Sequence, residues 1–333
     1  MKNTMPIDFV ITWVDNQDLT WRAKRTEYIG DLSKDRSAEV RYRDWNTLRY
    51  WFRGVERFAP WVRYVFFVTD AQKPDWLNLD HPKLKWVKHT DYIPDEYLPT
   101  FSSNVIELNL FRIKELSENF VYFNDDVFLI DSVNEKDFFK SDLPCDLPLL
   151  GPLLPDGQFS SILFNNAYLI NRHFCLRQSI TKNIQLWMRK QNFSGYFRLL
   201  EYGRRPALSN SVNRHIHMSL MKKTYTTLWE IEYDILNSTC LNKSRSKDDV
   251  SAYCIRDWQL FSGQFVPERP IGKAFSTAIL TQNHKPLEFM LKRKGKIICL
   301  NDNENENEFE LHRHLIIDTF EKILPNRSSF ELF

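Results

Sequence analysis

The segment Ile7–Asp15 reads IDFVITWVD, a short apolar run rich in β-branched residues that ends in an acid. Runs of this kind are typical of strands that are buried on both faces of a parallel sheet. Three further strands are predicted at Val62–Thr69, Leu84–Val87 and Phe120–Phe123, with helical periodicity between them. This alternation predicts an α/β fold that is Rossmann-like, with a mostly parallel sheet flanked by helices.

The second half of the chain has a different pattern. Residues 142–157 are rich in proline, which indicates a loop or a seam between two parts of the molecule. Residues 180–262 have a mostly helical pattern and many aromatic side chains. We therefore predict one domain over residues 1–333, in which 1–150 form an α/β half and 151–333 form a mainly helical annex that completes the site.

Composition excludes several classes of protein. The 45 basic and 43 acidic residues leave a formal net charge of +2, whereas broad nucleic-acid binding needs a strongly basic face. No signal peptide is visible and no apolar run approaches the ~20 residues of a membrane-spanning helix. The five scattered cysteines do not resemble a disulfide framework or a zinc site, so we expect a cytoplasmic protein. No glycine-rich phosphate loop is present, which disfavours a P-loop kinase or a dinucleotide-binding enzyme.

Acidic residues follow three of the predicted strands. Asp15 and Asp70 end the first two, and the adjacent pair Asp125 and Asp126 follows the strand at Phe120–Phe123. Ligands of open α/β sheets bind beyond the carboxyl ends of the strands, so we expect these carboxylates to meet at one edge. Their mutual repulsion would be offset by a divalent cation such as Mg²⁺ or Mn²⁺, which in turn binds a diphosphate. The alternative is that each aspartate merely begins a turn.

Arginines could supply the complementary charge. Arg41 and Arg43 come just before a helix that is predicted to start at Asp44 as its N-cap, and Arg245 lies in a polar segment. Guanidinium groups bind phosphate bidentately, although an arginine in a polar loop is often only solvated surface. Trp13, beside the first acid, could stack on a uracil or fill the core.

Two histidines, His215 and His217, are further candidates. Residues spaced by two share a face on a strand but not on a helix. If the segment is helical, one of them at most points into a site. The alternative for each is a packed structural histidine.

Four blocks of the chain together resemble the Stealth family of hexose-1-phosphate transferases. They are Ile7–Trp21, Arg41–Leu129, His215–Ser251 and Ile297–Asn303, and the motif Pro325–Glu331 closes the chain. The resemblance covers well over half of the sequence. One departure is Asn16, which stands where the family commonly has glycine.

The resemblance also implies roles for individual residues. The catalytic residues that it implies are Asp15, Asp126, His217, Arg245 and Asp249. The substrate-binding residues that it implies are Trp13, Asn16, Arg41, Arg43, Asn104, Asn124, Asn301 and Asn303. The implied metal ligands are Asp125 and Asp126. His217 matches the family histidine better than His215 does.

The activity implied by the resemblance is transfer of a sugar-1-phosphate from a UDP-sugar to a hydroxyl group of an acceptor saccharide. The products are UMP and a phosphodiester, the cofactor is Mg²⁺ or Mn²⁺, and the setting is bacterial surface-polysaccharide synthesis. A lipid-linked acceptor would place this work at the inner face of the cell membrane. Two alternatives stay open: a metal-dependent glycosyltransferase that transfers the sugar alone, and a non-catalytic saccharide-binding protein.

Overall fold

The computed structural model describes residues 5–30, 42–153, 157–202, 210–211, 215–302 and 306–333. Its central sheet has five strands, which are β1 (Ile7–Thr12), β2 (Val65–Thr69), β3 (Leu84–Lys88), β4 (Asn119–Phe123) and β10 (Met218–Met221). Their spatial order is β10-β4-β1-β2-β3, with β10 antiparallel to β4 and the other neighbours parallel. The predicted α/β fold with a mostly parallel sheet is confirmed.

The strand order reverses between β1 and β4. The chain runs outward from β1 through β2 to β3 and then returns to the other side of β1 as β4. In doubly wound folds the ligand crevice opens at this switch point, beyond the carboxyl ends of the two strands. Asp15 follows β1, and Asp125 and Asp126 follow β4, so both acidic segments lie at the switch point.

Helices surround this sheet and fill most of the second half of the chain, which confirms the predicted helical annex. In the first half they are α1 (Leu19–Ile29), α2 (Leu48–Phe58), α3 (Ser103–Leu108) and α4 (Glu135–Phe138). In the second half they are α5 (Gly157–His173), α6 (Leu176–Lys182), α7 (Ile184–Met188), α8 (Phe193–Tyr202), α9 (Lys222–Ile231), α10 (Tyr233–Leu241), α11 (Tyr253–Phe261), α12 (Lys285–Leu291) and α13 (Glu306–Ile323). None of these helices, within the described ranges, is long and apolar enough to cross a bilayer.

The two faces of the sheet pack against different helices because side chains alternate along each strand. Phe9 and Ile11 of β1 belong to a core that includes Trp51 and Phe52 of α2. Val10, between them, belongs to the core on the opposite face, with residues of α3, α9 and α11. Burial on both faces accounts for the continuous apolar run of the first strand.

A second sheet joins the C-terminal region to the switch point. It consists of β5 (Val127–Leu129), β12 (Gly272–Ser276) and β13 (Ile297–Asn301), where β13 pairs parallel with β12 and antiparallel with β5. Because β5 begins one residue after Asp126, this pairing places the end of β13 beside the acidic pair. The amide of Leu300 donates to the carbonyl oxygen of Asp126 at 2.9 Å.

The proline-rich segment 142–157, predicted as a loop, contains two short strands. They are β7 (Leu143–Asp146), which pairs with β6 (Phe139–Lys140) and β11 (Val266–Pro267), and β8 (Leu150–Gly151), which pairs with β9 (Asn210–Ser211). Strands of two to four residues are too short to display a period. The prediction of a loop or a seam therefore missed these two short strands.

Candidate active site

A single cleft opens at the carboxyl ends of β1, β2 and β4, and its cavity volume is about 310 Å³. Its lining carries both signs of charge. The acidic side chains are Asp44, Asp70, Glu107, Asp125, Asp126 and Asp302, and the basic ones are Arg43, His89, His215 and Arg245. Trp13, Asn124 and Asn301 also line it. This mixture suits an anionic ligand that arrives with a cation.

The acidic pair after β4 places two carboxyl groups side by side in the cleft. The dense protein around the cleft disfavours the ionised carboxyl of Asp125, and the charges of Asp126 and Asp44 add to this effect. Together they raise the pKa of Asp125 to about 7, although its side chain stays open to solvent through the cleft. A carboxylate in such surroundings gains stability when a cation is brought to it.

Asp126 lies at the centre of a cluster with His215 and Cys299, whose potential ligand atoms all lie within 4.8 Å of one another. Its Oδ2 is 3.3 Å from Nε2 of His215 and 3.3 Å from the Cys299 thiol. Burial raises the pKa of that thiol well above its usual value, with help from Asp126, so Cys299 is neutral and donates its proton to the carboxylate. The Oδ1 atom of Asp126 is buried and has no hydrogen-bond partner among the described residues.

The donors at this end of the cleft fit a hard divalent cation. The unpartnered Oδ1 of Asp126 and the neighbouring carboxylate of Asp125 offer the oxygen ligands that Mg²⁺ and Mn²⁺ prefer. A thiol is a soft ligand that suits neither ion, and Cys299 already serves as a hydrogen-bond donor. The two residues predicted as metal ligands are thus adjacent in one cleft, and their role as ligands stays a prediction.

Of the two predicted histidines, His215 lines the cleft and His217 does not. Burial alone would lower the pKa of His215, but the hydrogen bond and charge of Asp126, with the charge of Glu107, raise it overall. His217 lies in a separate cavity of about 40 Å³ beside Arg256, where burial lowers its pKa to about 4. Its ring packs edge-on against Phe138 at 5.0 Å. The structure therefore places His215 in the cleft, and not His217 as predicted. The backbone at His215 has a positive φ of 46°, so the two histidines do not alternate as residues of a strand do, and a catalytic role for either stays a prediction.

Arg245 reaches the cleft from the loop between α10 and α11. Its Nη2 donates to Oγ of Ser103 at the start of α3, at 2.6 Å. Behind it, the fully buried carboxylate of Asp249 accepts hydrogen bonds from the side-chain amides of Asn104 and Asn242, at 3.1 and 2.8 Å. It also accepts one from the Ser246 amide, at 2.9 Å.

Asp249 and Asn104 were predicted as a catalytic and a substrate-binding residue, and neither lines the cleft. They contact each other and hold the loop that carries Arg245. A buried aspartate that binds backbone and amide groups can organise a loop, and the catalytic and substrate-binding roles of Asp249 and Asn104 stay predictions. Their contact joins the second block, which contains Asn104, to the third, which contains Asp249.

Arg43 lies on the opposite wall and is oriented by Asp302. Its Nε and Nη2 donate to the two carboxylate oxygens of Asp302 at 3.0 and 3.1 Å, and Nε1 of Trp45 donates to the same group at 3.0 Å. Asn301 precedes Asp302 at the end of β13 and also faces the cleft. Two predicted substrate-binding residues, Arg41 and Asn303, lie outside the described residues.

The residues that follow β1 divide between the cleft and a turn. Trp13 lines the cleft, with its ring 5.7 Å from that of Phe67. The carboxylate of Asp15 accepts a hydrogen bond from the backbone amide of Gln17 at 2.7 Å. The side chain of Asn16 accepts one from Arg25 at 3.4 Å. Neither Asp15 nor Asn16 lines the cleft. This contact of Asp15 is the one expected if the aspartate begins a turn, and its catalytic role stays a prediction. Burial raises the pKa of Asp44, and the charge of Asp15 adds to this effect.

Asn124, the last predicted substrate-binding residue, faces the cleft directly before the acidic pair. Its Oδ1 accepts from the Tyr122 hydroxyl at 2.7 Å, which fixes the side-chain amide. Asp70, at the end of β2, also lines the cleft and forms an ion pair with Lys24 at 2.9 Å. Of the four aspartates that were expected to meet at this edge, Asp70, Asp125 and Asp126 line the cleft and Asp15 does not.

Three carboxylates of the cleft were not predicted as site residues: Asp44, Glu107 and Asp302. Asp44 was interpreted as a helix N-cap, but α2 begins at Leu48 and its N-cap is Thr47. Glu107 is buried on α3, and this burial raises its pKa. Burial is not visible in the sequence, so only the structure identifies Glu107 as a residue of the cleft. Asp302 lies in the fourth block of the resemblance, but substrate binding was predicted only for its two neighbours, Asn301 and Asn303.

Comparison with known proteins agrees with this geometry. Models of the Stealth protein conserved regions 1, 2 and 4 match residues 5–33, 41–145 and 289–333. The chain is 41% identical to a capsular polysaccharide phosphotransferase WcwK of Streptococcus pneumoniae, over 99% of both chains. It is 39% identical to the receptor polysaccharide phosphotransferase WefC of Streptococcus oralis, over 98% of this chain and 99% of that one.

A third relative, the exopolysaccharide phosphotransferase cps2G of Lactiplantibacillus plantarum, is 36% identical over 98% of this chain and 96% of its own. The matched regions include β1, the acidic pair after β4 and the end of β13, which together form most of the cleft. The similarity therefore extends along the whole chain and covers the site as well as the fold. The chain belongs to the Stealth protein family and is a transferase enzyme.

Proposed function

We propose that this enzyme transfers a sugar-1-phosphate from a UDP-sugar to a hydroxyl group of an acceptor saccharide, in the synthesis of a bacterial surface polysaccharide. The relatives named above are phosphotransferases of capsular, receptor and exopolysaccharides. The observation that carries the proposal is that Asp125, Asp126 and Arg245 face one cleft at the switch point of the sheet. Phosphoryl transfer depends mainly on positioning and on charge stabilisation, which these groups provide.

The donor would lie along the carboxyl ends of β1 and β4. Trp13 offers a ring on which a uracil can stack, and the fixed amide of Asn124 can bind polar groups of the nucleotide. Asp125 and Asp126 would hold a divalent cation, and a bound cation neutralises oxygens of the diphosphate. The identity of that cation, Mg²⁺ or Mn²⁺, belongs to the proposal.

Arg245 and Arg43 would bind the phosphoryl oxygens from two sides. Each guanidinium is already oriented, Arg245 by Ser103 and Arg43 by Asp302, so little order has to be gained when the phosphate binds. Preorganised donors of this kind stabilise charge that develops during the reaction.

His215 would accept the proton of the acceptor hydroxyl. Asp126 lies against its Nε2, and the Tyr253 hydroxyl is 3.5 Å from its Nδ1. The acceptor oxygen forms a bond to the sugar-linked phosphorus while the bond between that phosphorus and the bridging oxygen breaks. UMP leaves with the bridging oxygen, and the imidazolium is stabilised by the Asp126 carboxylate.

The acceptor would be a saccharide, and one that is linked to a lipid would bring the reaction to the inner face of the cell membrane.

The direct test is to incubate the purified enzyme with a panel of UDP-sugars, Mg²⁺ or Mn²⁺ and a short synthetic acceptor. UMP and a phosphodiester signal in the phosphorus spectrum are expected, and EDTA should abolish both. Release of UDP with a new glycosidic bond would instead identify a glycosyltransferase.

A further inference from the structure

The outer face of α8 carries a row of large apolar side chains in solvent. Phe193, Tyr196, Phe197 and Leu200 are exposed by 78%, 38%, 59% and 57%. Their spacing of three and four residues places all of them on one side of the helix. The rings of Phe193 and Phe197 contact each other, with centroids 5.0 Å apart.

The helix is held to the protein by its other side. Gly195 and Leu199 are buried there, and Arg198 donates to the carbonyl oxygen of Leu150 at 3.2 Å. The exposed row is therefore additional to the face that packs on the core. We call the side chains of Phe193, Tyr196, Phe197 and Leu200 the apolar ridge.

The segment that contains the ridge is strongly basic. Residues 176–202 include Arg177, Lys182, Arg189, Lys190 and Arg198 against the single acid Glu201, although the chain as a whole is nearly balanced at +2. Arg177, Lys182, Arg189 and Lys190 are exposed, and Lys190 also approaches Glu268 at 3.5 Å.

The size and composition of the ridge favour a lipid surface over a protein. With roughly 200 Å² for a side chain of this size, the exposed fractions leave on the order of 450 Å² in solvent. A stable protein–protein interface needs about 800 Å² from each partner. Exposed aromatic residues in a segment that is basic as a whole, here 176–202, are a composition that suits the surface of an anionic membrane.

We infer that α8 docks this enzyme onto an anionic lipid bilayer, with the apolar ridge inserted among the lipids and the basic side chains against the head groups. The inference deepens the proposed function. Only the purpose of docking rests on that function, because docking would hold the cleft near a lipid-linked acceptor. Membrane binding itself can be measured without any turnover.

The test is sedimentation of the full chain with vesicles. The enzyme is expected to bind vesicles of phosphatidylcholine and phosphatidylglycerol more tightly than vesicles of phosphatidylcholine alone, and added salt should weaken this binding. The double variant Phe193→Ser, Phe197→Ser should lower the partition coefficient by about tenfold or more, because two rings that would insert into the lipid are lost. Leu311→Ser, which changes a 62% exposed side chain on α13, should bind as the unchanged enzyme does.

Equal binding by the double variant and the unchanged enzyme, or no binding to anionic vesicles, would overturn the inference. A dimer in light scattering that the double variant dissociates would also overturn it, in favour of a second copy on the ridge. If the double variant does not fold, Phe193→Ser alone should weaken binding in the same direction. UMP release with a soluble acceptor should be unchanged in the double variant, so a failure of docking and a failure of the proposed function are distinguishable.

Discussion

At the scale of single residues, two histidines that are two positions apart have opposite surroundings. His215 contacts Asp126 in the cleft, whereas His217 packs against Phe138 in another cavity. The sequence gives no signal that separates them, because β10 is only four residues long and its register is set by pairing with β4. The family pattern favoured His217, and only the three-dimensional arrangement points to His215.

This difference gives a matched pair of variants. His215→Gln should lower kcat by about a hundredfold or more, because a general base contributes roughly that factor. His217→Gln should keep most of the activity, since its ring does not reach the cleft. Rates of UMP release, measured with thermal unfolding of both variants, check this. A greater loss of activity in His217→Gln than in His215→Gln, at unchanged thermal stability, would assign the role of general base to His217 instead.

Arg245 provides a second test at this scale. Arg245→Ala should lower kcat by about a hundredfold to a thousandfold, as for loss of one preorganised charge partner. Arg245→Lys should recover only part of this, because lysine keeps the charge but lacks the bidentate fork. Lys247→Ala, an exposed change in the same loop, is the control and should leave the rate unchanged. Full activity in Arg245→Ala would remove this residue from the mechanism.

At the scale of elements, the strands were predicted better than the loops that complete the site. The runs at β1, β2 and β4 were identifiable because each is mainly apolar and bounded by acids, prolines or polar turns, whereas β3 contains two lysines and gives a weaker signal. The pairing of β13 with β5 was not predictable, because it joins residues about 170 positions apart and depends on tertiary packing. That pairing supplies Asp302 and orients Arg43.

The loop that carries Arg245 depends on the contact between Asp249 and Asn104. Asp249→Asn should lower the free energy of unfolding by about 1–3 kcal/mol, because a buried hydrogen-bond acceptor is lost. It should also lower kcat, as Arg245 is no longer held in place. Asn104→Ala should act through the same contact, so the two effects should not add. A double-mutant cycle checks this, in which the free energy of unfolding and kcat are measured for both single variants and for the double variant. Losses in the double variant that equal the sum of the single losses would contradict a shared role.

At the scale of the whole molecule, the end of the chain is fastened to the helix that covers the sheet. Both carboxylate oxygens of Glu331 accept from the Arg53 guanidinium of α2, at 2.9 and 3.0 Å, and the side chain of Glu331 is fully buried. Burial alone would raise the pKa of Glu331, but the hydrogen bonds from Arg53 and Ser328 outweigh it and lower the pKa overall. The motif Pro325–Glu331 therefore contributes to stability.

Glu331→Gln should lower the free energy of unfolding at neutral pH by about 2 kcal/mol, since the buried Arg53 guanidinium loses charge-assisted hydrogen bonds and keeps Glu321 as its remaining carboxylate partner. Because the folded-state pKa of Glu331 lies below the ordinary value of 4.5, the stabilisation is present above that pH and is lost as the pH falls through the folded-state pKa. The difference between the unchanged enzyme and the variant should therefore shrink in acid. Denaturant unfolding at several pH values checks this, and a pH-independent difference would contradict it.

The central claim is that the carboxylates after β4 hold a divalent cation that binds a diphosphate opposite Arg245. The most direct measurement is electron paramagnetic resonance of Mn²⁺ titrated into the enzyme, with and without UDP. We predict that the signal of free Mn²⁺ is lost on binding, that UDP tightens this binding, and that Asp125→Asn and Asp126→Asn each weaken it by about tenfold or more. Equal Mn²⁺ affinity in the unchanged enzyme and in both folded variants would contradict the claim.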